Sequence, residues 1–154
     1  MSELKSSLSR RGFIAGGGGA ILIASTPLAG FADEADLIRA RLDLFGQGAI
    51  NEGRVTLTLP PIAENGHSVP LSVKVDSPMS ETDYVKRVAI LSPRNPLPVI
   101  GEFHFSPASG RAEVSTRIRM SGTQKLQAVA EISDGSLWSG SMETVGTLAA
   151  CVVL

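Results

Sequence analysis

The sequence predicts an all-β sandwich of about seven strands, preceded by a short helix and followed by a short arm. Three observations lead there. Stretches in which apolar and polar residues alternate with period two recur from Val55 onward, clusters of Gly, Pro, Asn and Asp separate them, and no helical periodicity comes between one stretch and the next. Period-two alternation marks a strand with one buried face. Without intervening helices the strands cannot be joined as βαβ units, so they pair as antiparallel sheets packed face to face. The 154 residues suffice for one domain and leave no room for a second.

Taken in order, the chain opens with an expected export segment over residues 1–32. Ser9-Arg10-Arg11-Gly12-Phe13-Ile14 matches the twin-arginine export pattern, a weakly apolar Gly-rich stretch follows, and small residues at Gly30 and Ala32 suit cleavage before Asp33. Gly16 to Gly19 interrupt the apolar run and make it a poor membrane-spanning helix, so no membrane association is expected after cleavage. The periplasm is the expected destination.

Ala32 to Gly46 reads as a helix, with Asp33 as N-cap and Gly46 as stop. Ile38, Leu42 and Phe45 fall at i, i+4 and i+7, and Leu37 and Leu44 lie on the adjoining face. The first strand follows, with Val55, Leu57 and Leu59 alternating with polar neighbours until Pro60-Pro61. The polar loop from Pro60 to Ser68 reads as a hairpin connection. Val69 to Val75 is the second strand, closed by Asp76-Ser77-Pro78, and Tyr84 to Leu91 is the third, closed by Pro93 and Asn95-Pro96. Ile100–Phe105, Ala112–Met120 and Lys125–Ile132 supply three more. After the Asp134-Gly135 turn a last strand carries Trp138 and Met142. Trp138, Phe103 and Phe105 read as core or hairpin packing. The sandwich is thus expected over residues 33–145, and residues 146–154 form the arm.

Charge excludes one class of function. The export segment holds Lys5, Arg10, Arg11 and Glu3, which leaves 11 basic and 14 acidic groups on the rest, or −3. Phosphate-backbone binding needs clustered Lys and Arg, so no nucleic-acid partner is expected. No nucleotide or cofactor motif is present: the Gly run at 16–19 follows no strand and precedes no Lys. His67 and His104 are the only histidines and have no partner at metal-ligand spacing. A site combining them with Met79 or Cys151 is the weakest alternative, and no metal or cofactor is expected.

Cys151 is the lone cysteine and stands near the end of the chain. It cannot form an intramolecular disulfide, which leaves a buried inert thiol, an intermolecular bridge or a reactive thiol. The tail itself supplies neither a cation nor a helix N-terminus to activate a thiolate, so a self-contained cysteine enzyme is not expected. A carrier arm needs no such group, because partners can activate the sulfur. From Gly146, five extended residues would give Cys151 a reach of about 17 Å.

Several segments together resemble one family. Leu59-Pro60-Pro61-Ile62-Ala63-Glu64-Asn65-Gly66, Val69-Pro70-Leu71 and Asp76-Ser77-Pro78-Met79 are similar to the hallmark stretch of SoxY, the carrier family of bacterial sulfur oxidation. Asn95-Pro96-Leu97-Pro98, Phe103-His104-Phe105 and Val114 to Arg119 resemble later parts in order and spacing, and the similarity runs from about residue 35 to 151. The resemblance implies an immunoglobulin-like sandwich that pairs with a small β protein, SoxZ, as a heterodimer. It also implies a C-terminal cysteine, here Cys151, joined to thiosulfate by a haem-bearing cytochrome complex and then acted on by a hydrolase and, in some pathways, a molybdenum dehydrogenase. On that reading the protein is a carrier and not an enzyme. The ending departs from the family: where SoxY proteins typically finish Gly-Gly-Cys-Gly-Gly, this chain has Ala149-Ala150-Cys151-Val152-Val153-Leu154. β-Branched valines are stiffer than glycines, and the second reading is a SoxY-like binding module that has lost carriage.

Overall fold

The computed structural model of the chain describes residues 33–149. The expected export segment and Cys151 both lie outside them. The helix α1 (Glu34–Phe45) leads into strands β1 (Ile50–Glu52), β2 (Val55–Thr58), β3 (Ile62–Ala63), β4 (Val69–Val75), β5 (Val85–Leu91), β6 (Val99–His104), β7 (Ala112–Ile118), β8 (Gln124–Ile132) and β9 (Leu137–Gly146). Two sheets pack face to face. The larger runs β1-β9-β8-β5-β6, with β3 added beside β9, and the smaller runs β2-β4-β7. This is the expected immunoglobulin-like sandwich, with the seven predicted strands and two further short ones.

The two additional strands share an origin. β1 pairs in parallel with the start of β9 through Ile50 and Leu137, the chain then crosses to the smaller sheet as β2, and it returns as β3 to pair in parallel with the end of β9 through Ile62 and Val145. One segment therefore switches sheets twice along the flank of β9. The crossing is tight: a Cβ on Gly140 would lie 2.1 Å from the Val55 carbonyl oxygen, so glycine is required there. The Pro60–Ser68 segment does connect two antiparallel neighbours, β2 and β4, as a hairpin connection should. It does so by way of β3.

Alternation along the strands fills the space between the sheets. Val69, Leu71, Val73 and Val75 of β4 face Val88 and Ile90 of β5 and Leu126, Ala128, Ala130 and Ile132 of β8, all buried. β5 and β8 are apolar on their other face as well, because α1 covers it: Leu37, Leu44 and Phe45 pack over Ala89, Leu91 and Val129. Asp33 caps α1 in a capping box with Asp36, and Gly46 at φ 70° ends it. The expected stripe is displaced by one position, since Ile38 and Leu42 stay 44% exposed while Leu37 and Leu44 are the packed pair.

Candidate functional site

At one end of the sandwich the chain leaves β9 toward Cys151, and three loops gather around that exit. They are the β2–β4 connection, the β5–β6 loop and the β7–β8 turn. β9 is held to the first of them beyond its last paired residue. The Val145 N–H donates to the Pro61 carbonyl at 3.0 Å, the Thr147 N–H to Ala63 at 3.1 Å, and the Gly66 N–H to the Leu148 carbonyl at 2.9 Å. The Thr147 hydroxyl donates to the Glu64 carbonyl at 2.9 Å. Backbone pairing thus continues to Leu148, past the boundary expected at 145. Cys151 stands three steps along the chain from that last tie, a span of about 10 Å at full extension.

The β7–β8 turn clamps the other side of the exit. Thr123 Oγ1 accepts from the Gly146 N–H at 3.1 Å, and a Cβ on Gly146 would lie 2.7 Å from the backbone carbon of Gly122. Glycine at 146 is therefore a packing requirement before it is a source of freedom. The turn is in turn fixed by Asn95 of the β5–β6 loop, which is buried. Its Nδ2 donates to the Arg119 carbonyl at 2.8 Å, while its Oδ1 accepts from the Ser121 N–H and from Gln124 Nε2, both at 3.0 Å. Ser92 completes the network by donating from Oγ to Gln124 Oε1 and accepting from the Asn95 N–H. The exit of the arm is a rigid platform.

Three arginines stand on segments that join this platform. Arg94 Nη1 donates to the Thr123 carbonyl at 3.1 Å, Arg117 Nη1 donates to Ser68 Oγ at 3.3 Å, and Arg119 directly precedes Met120, whose N–H donates to the Gly66 carbonyl. All three are exposed. Exposed apolar side chains share the same end: Ile62, Val145 and Leu148 are 59%, 46% and 64% exposed.

The histidines and Met79 are not brought together. His67 sits in the β3–β4 loop, where its N–H donates to Asn65 Oδ1 at 2.9 Å. His104 ends β6 on the outer face of the larger sheet, 3.3 Å from Glu102 Oε1. Met79 is buried in the loop before β5, with its sulfur accepting from the Val85 N–H at 3.5 Å. Among the described residues no group of three or more His, Cys, Asp or Glu is placed to hold a metal ion.

The family model described as sulfur oxidation protein SoxY matches residues 41–151, a span that includes Cys151. The chain belongs to the SoxY family. The sulfur carrier protein SoxY from Chlorobium limicola f thiosulfatophilum has a solved structure similar to this one, at 30% identity and a TM-score of 0.63, covering 74% of this chain and 98% of that one. Two superoxide reductases share the fold alone. The neelaredoxin from Ignicoccus hospitalis aligns at 16% identity and a TM-score of 0.54, covering 61% of this chain and 80% of that one. The enzyme from Nanoarchaeum equitans aligns at 13% identity and a TM-score of 0.52, covering 62% and 99%. No curated protein matches the sequence. In this member of the family, the platform described above is the part of the sandwich from which the chain continues to Cys151.

Proposed function

We propose that this protein is a periplasmic covalent carrier of sulfur intermediates in thiosulfate oxidation, with the substrate held on Cys151. The observation that carries the reading is that the SoxY family match extends to Cys151, the lone cysteine of the chain. The proposed attachment forms a bond between the Cys151 sulfur and the outer sulfur of thiosulfate. It releases the thiol proton, and two electrons pass to a haem-bearing cytochrome partner. The protein contributes a sulfur and a tether and catalyses no step. Export by the twin-arginine route and pairing with a SoxZ-like β protein belong to the same proposal, as do successive visits to hydrolase and dehydrogenase partners.

The rigid exit supports this reading, because a platform tied to Leu148 presents the last residues to partners from a fixed position at lower ordering cost. The Val152-Val153-Leu154 ending favours a second reading, a SoxY-like binding module without carriage. Replacing Cys151 by Ser in the host separates the two. Carriage predicts loss of thiosulfate-dependent growth, and unimpaired growth would establish the binding module instead.

A further inference from the structure

We infer that Asn65-Gly66 is a modification site, at which spontaneous deamidation is held back by the tie between Gly66 and the root of the arm and, once it occurs, undoes that tie. The inference concerns the mount of the arm and stands whether or not Cys151 carries sulfur. Deamidation needs an exposed asparagine amide, a following residue without a Cβ to obstruct the approach, and a backbone nitrogen free to give up its proton. Asn65 is exposed and Gly66 follows it, whereas Asn51 and Asn95 are followed by Glu52 and Pro96. The Asn65 side chain folds back over the next backbone units, where its Oδ1 accepts from the His67 N–H at 2.9 Å. That donor polarises the side-chain carbonyl that the nitrogen must attack.

The third requirement is withheld. Gly66 is buried, its N–H donates to the Leu148 carbonyl at 2.9 Å, and its carbonyl accepts from the Met120 N–H at 2.9 Å. A buried, bonded amide loses its proton only during local opening, the event that also admits hydrogen exchange. Thr147 opposes the same opening, through its N–H to the Ala63 carbonyl and its hydroxyl to the Glu64 carbonyl. When the loop opens, hydroxide removes the Gly66 proton and the nitrogen attacks Asn65 Cγ. The new carbon–nitrogen bond closes a succinimide ring, the side-chain nitrogen leaves as ammonia, and water then opens the ring to aspartate or isoaspartate. Isoaspartate routes the backbone through an additional carbon, so it shifts the Gly66 N–H away from Leu148. Either product adds a negative charge beside the root of the arm.

The test incubates the purified protein in mildly alkaline buffer, folded and in urea, and follows position 65 by peptide mass mapping. Hydrogen exchange at the Gly66 amide is measured on the same folded sample. Folded protein is expected to deamidate more slowly than unfolded protein, at Asn65 ahead of Asn51 and Asn95. Thr147→Val keeps the shape of the side chain and removes the bond to Glu64. It is expected to raise deamidation and Gly66 exchange together, each about fivefold, the effect of one lost hydrogen bond on the opening equilibrium. After modification, exchange at the Thr147 amide should be faster than in fresh protein. Equal deamidation of folded and unfolded protein would overturn the protection by the tie, as would a Thr147→Val variant in which Gly66 exchange rises without deamidation or neither rate changes. Unchanged Thr147 exchange after modification would overturn the release of the arm's root.

Discussion

Asn95 binds three points of the β7–β8 turn with one amide group, and its partners Arg119, Ser121 and Gln124 lie 24, 26 and 29 positions away. Replacing it with Ala would leave the Ser121 N–H and the Arg119 carbonyl without their partner in a buried setting. The expected cost is about 2–3 kcal/mol, measured by urea unfolding, because unsatisfied buried groups forfeit their desolvation. The same change should speed hydrogen exchange at the Gly146 amide, whose acceptor Thr123 sits in the turn that Asn95 fixes. Stability and exchange equal to the unsubstituted protein would show that the network is not what holds the exit. In the sequence, Asn95-Pro96 is legible as a turn, but its role as a hub is not, since nothing local indicates which distant backbone groups it will meet. Gly146 is a similar case. It reads as the start of a free arm, and the structure makes it the point where the Gly122 backbone approaches too closely for a Cβ.

Between elements, Arg87 joins α1, β5, β6 and β8. Its Nε donates to Glu131 at 2.7 Å, its Nη1 to Glu102 at 3.2 Å and its Nη2 to the Leu44 carbonyl at the end of α1, while its guanidinium lies over the Phe45 ring, 4.9 Å from the centroid. A cation at a helix C-terminus also complements the helix dipole. Burial works against the charge on Glu131, but hydrogen bonding and attraction from Arg87, with Lys86 adding, outweigh it and hold the carboxyl below its usual range. A carboxylate with a depressed value stabilises the fold above the ordinary glutamate range and loses that contribution as pH falls through its own lower value. Glu131→Gln should therefore cost about 1–2 kcal/mol at neutral pH, with the difference from the unsubstituted protein shrinking as the solution is acidified. A difference independent of pH would contradict the ion pair's role. At this scale the sequence shows the seven long strands and the helix with its caps, because alternation and capping are local signals. β1 and β3 escape notice because two or three residues cannot display a period, and it is β9 that recruits them. The packed face of α1 is hidden for a related reason: Leu37 and Leu44 are chosen over Ile38 and Leu42 by the position of Ala89, Leu91 and Val129 beneath them.

Across the whole molecule, the sandwich acts as a rigid mount that delivers one end of the chain from a platform of three loops. The sandwich was readable because its strands alternate, and Cys151 stands out as a candidate because no other thiol exists. The platform was not, because Ala63, Gly66, Asn95 and Thr123 converge only when two sheets close. Family membership and the mounting of the exit both point to carriage on Cys151, and only the ending Val152-Val153-Leu154 argues against it. The direct test is the intact mass of the protein isolated from cells given thiosulfate, before and after treatment with a thiol reductant, with Cys151→Ser as control. Carriage predicts an added mass that matches a sulfur or thiosulfate adduct, disappears on reduction and is missing from the Ser variant. An unmodified thiol, in cells whose coupling enzymes are active, would contradict it.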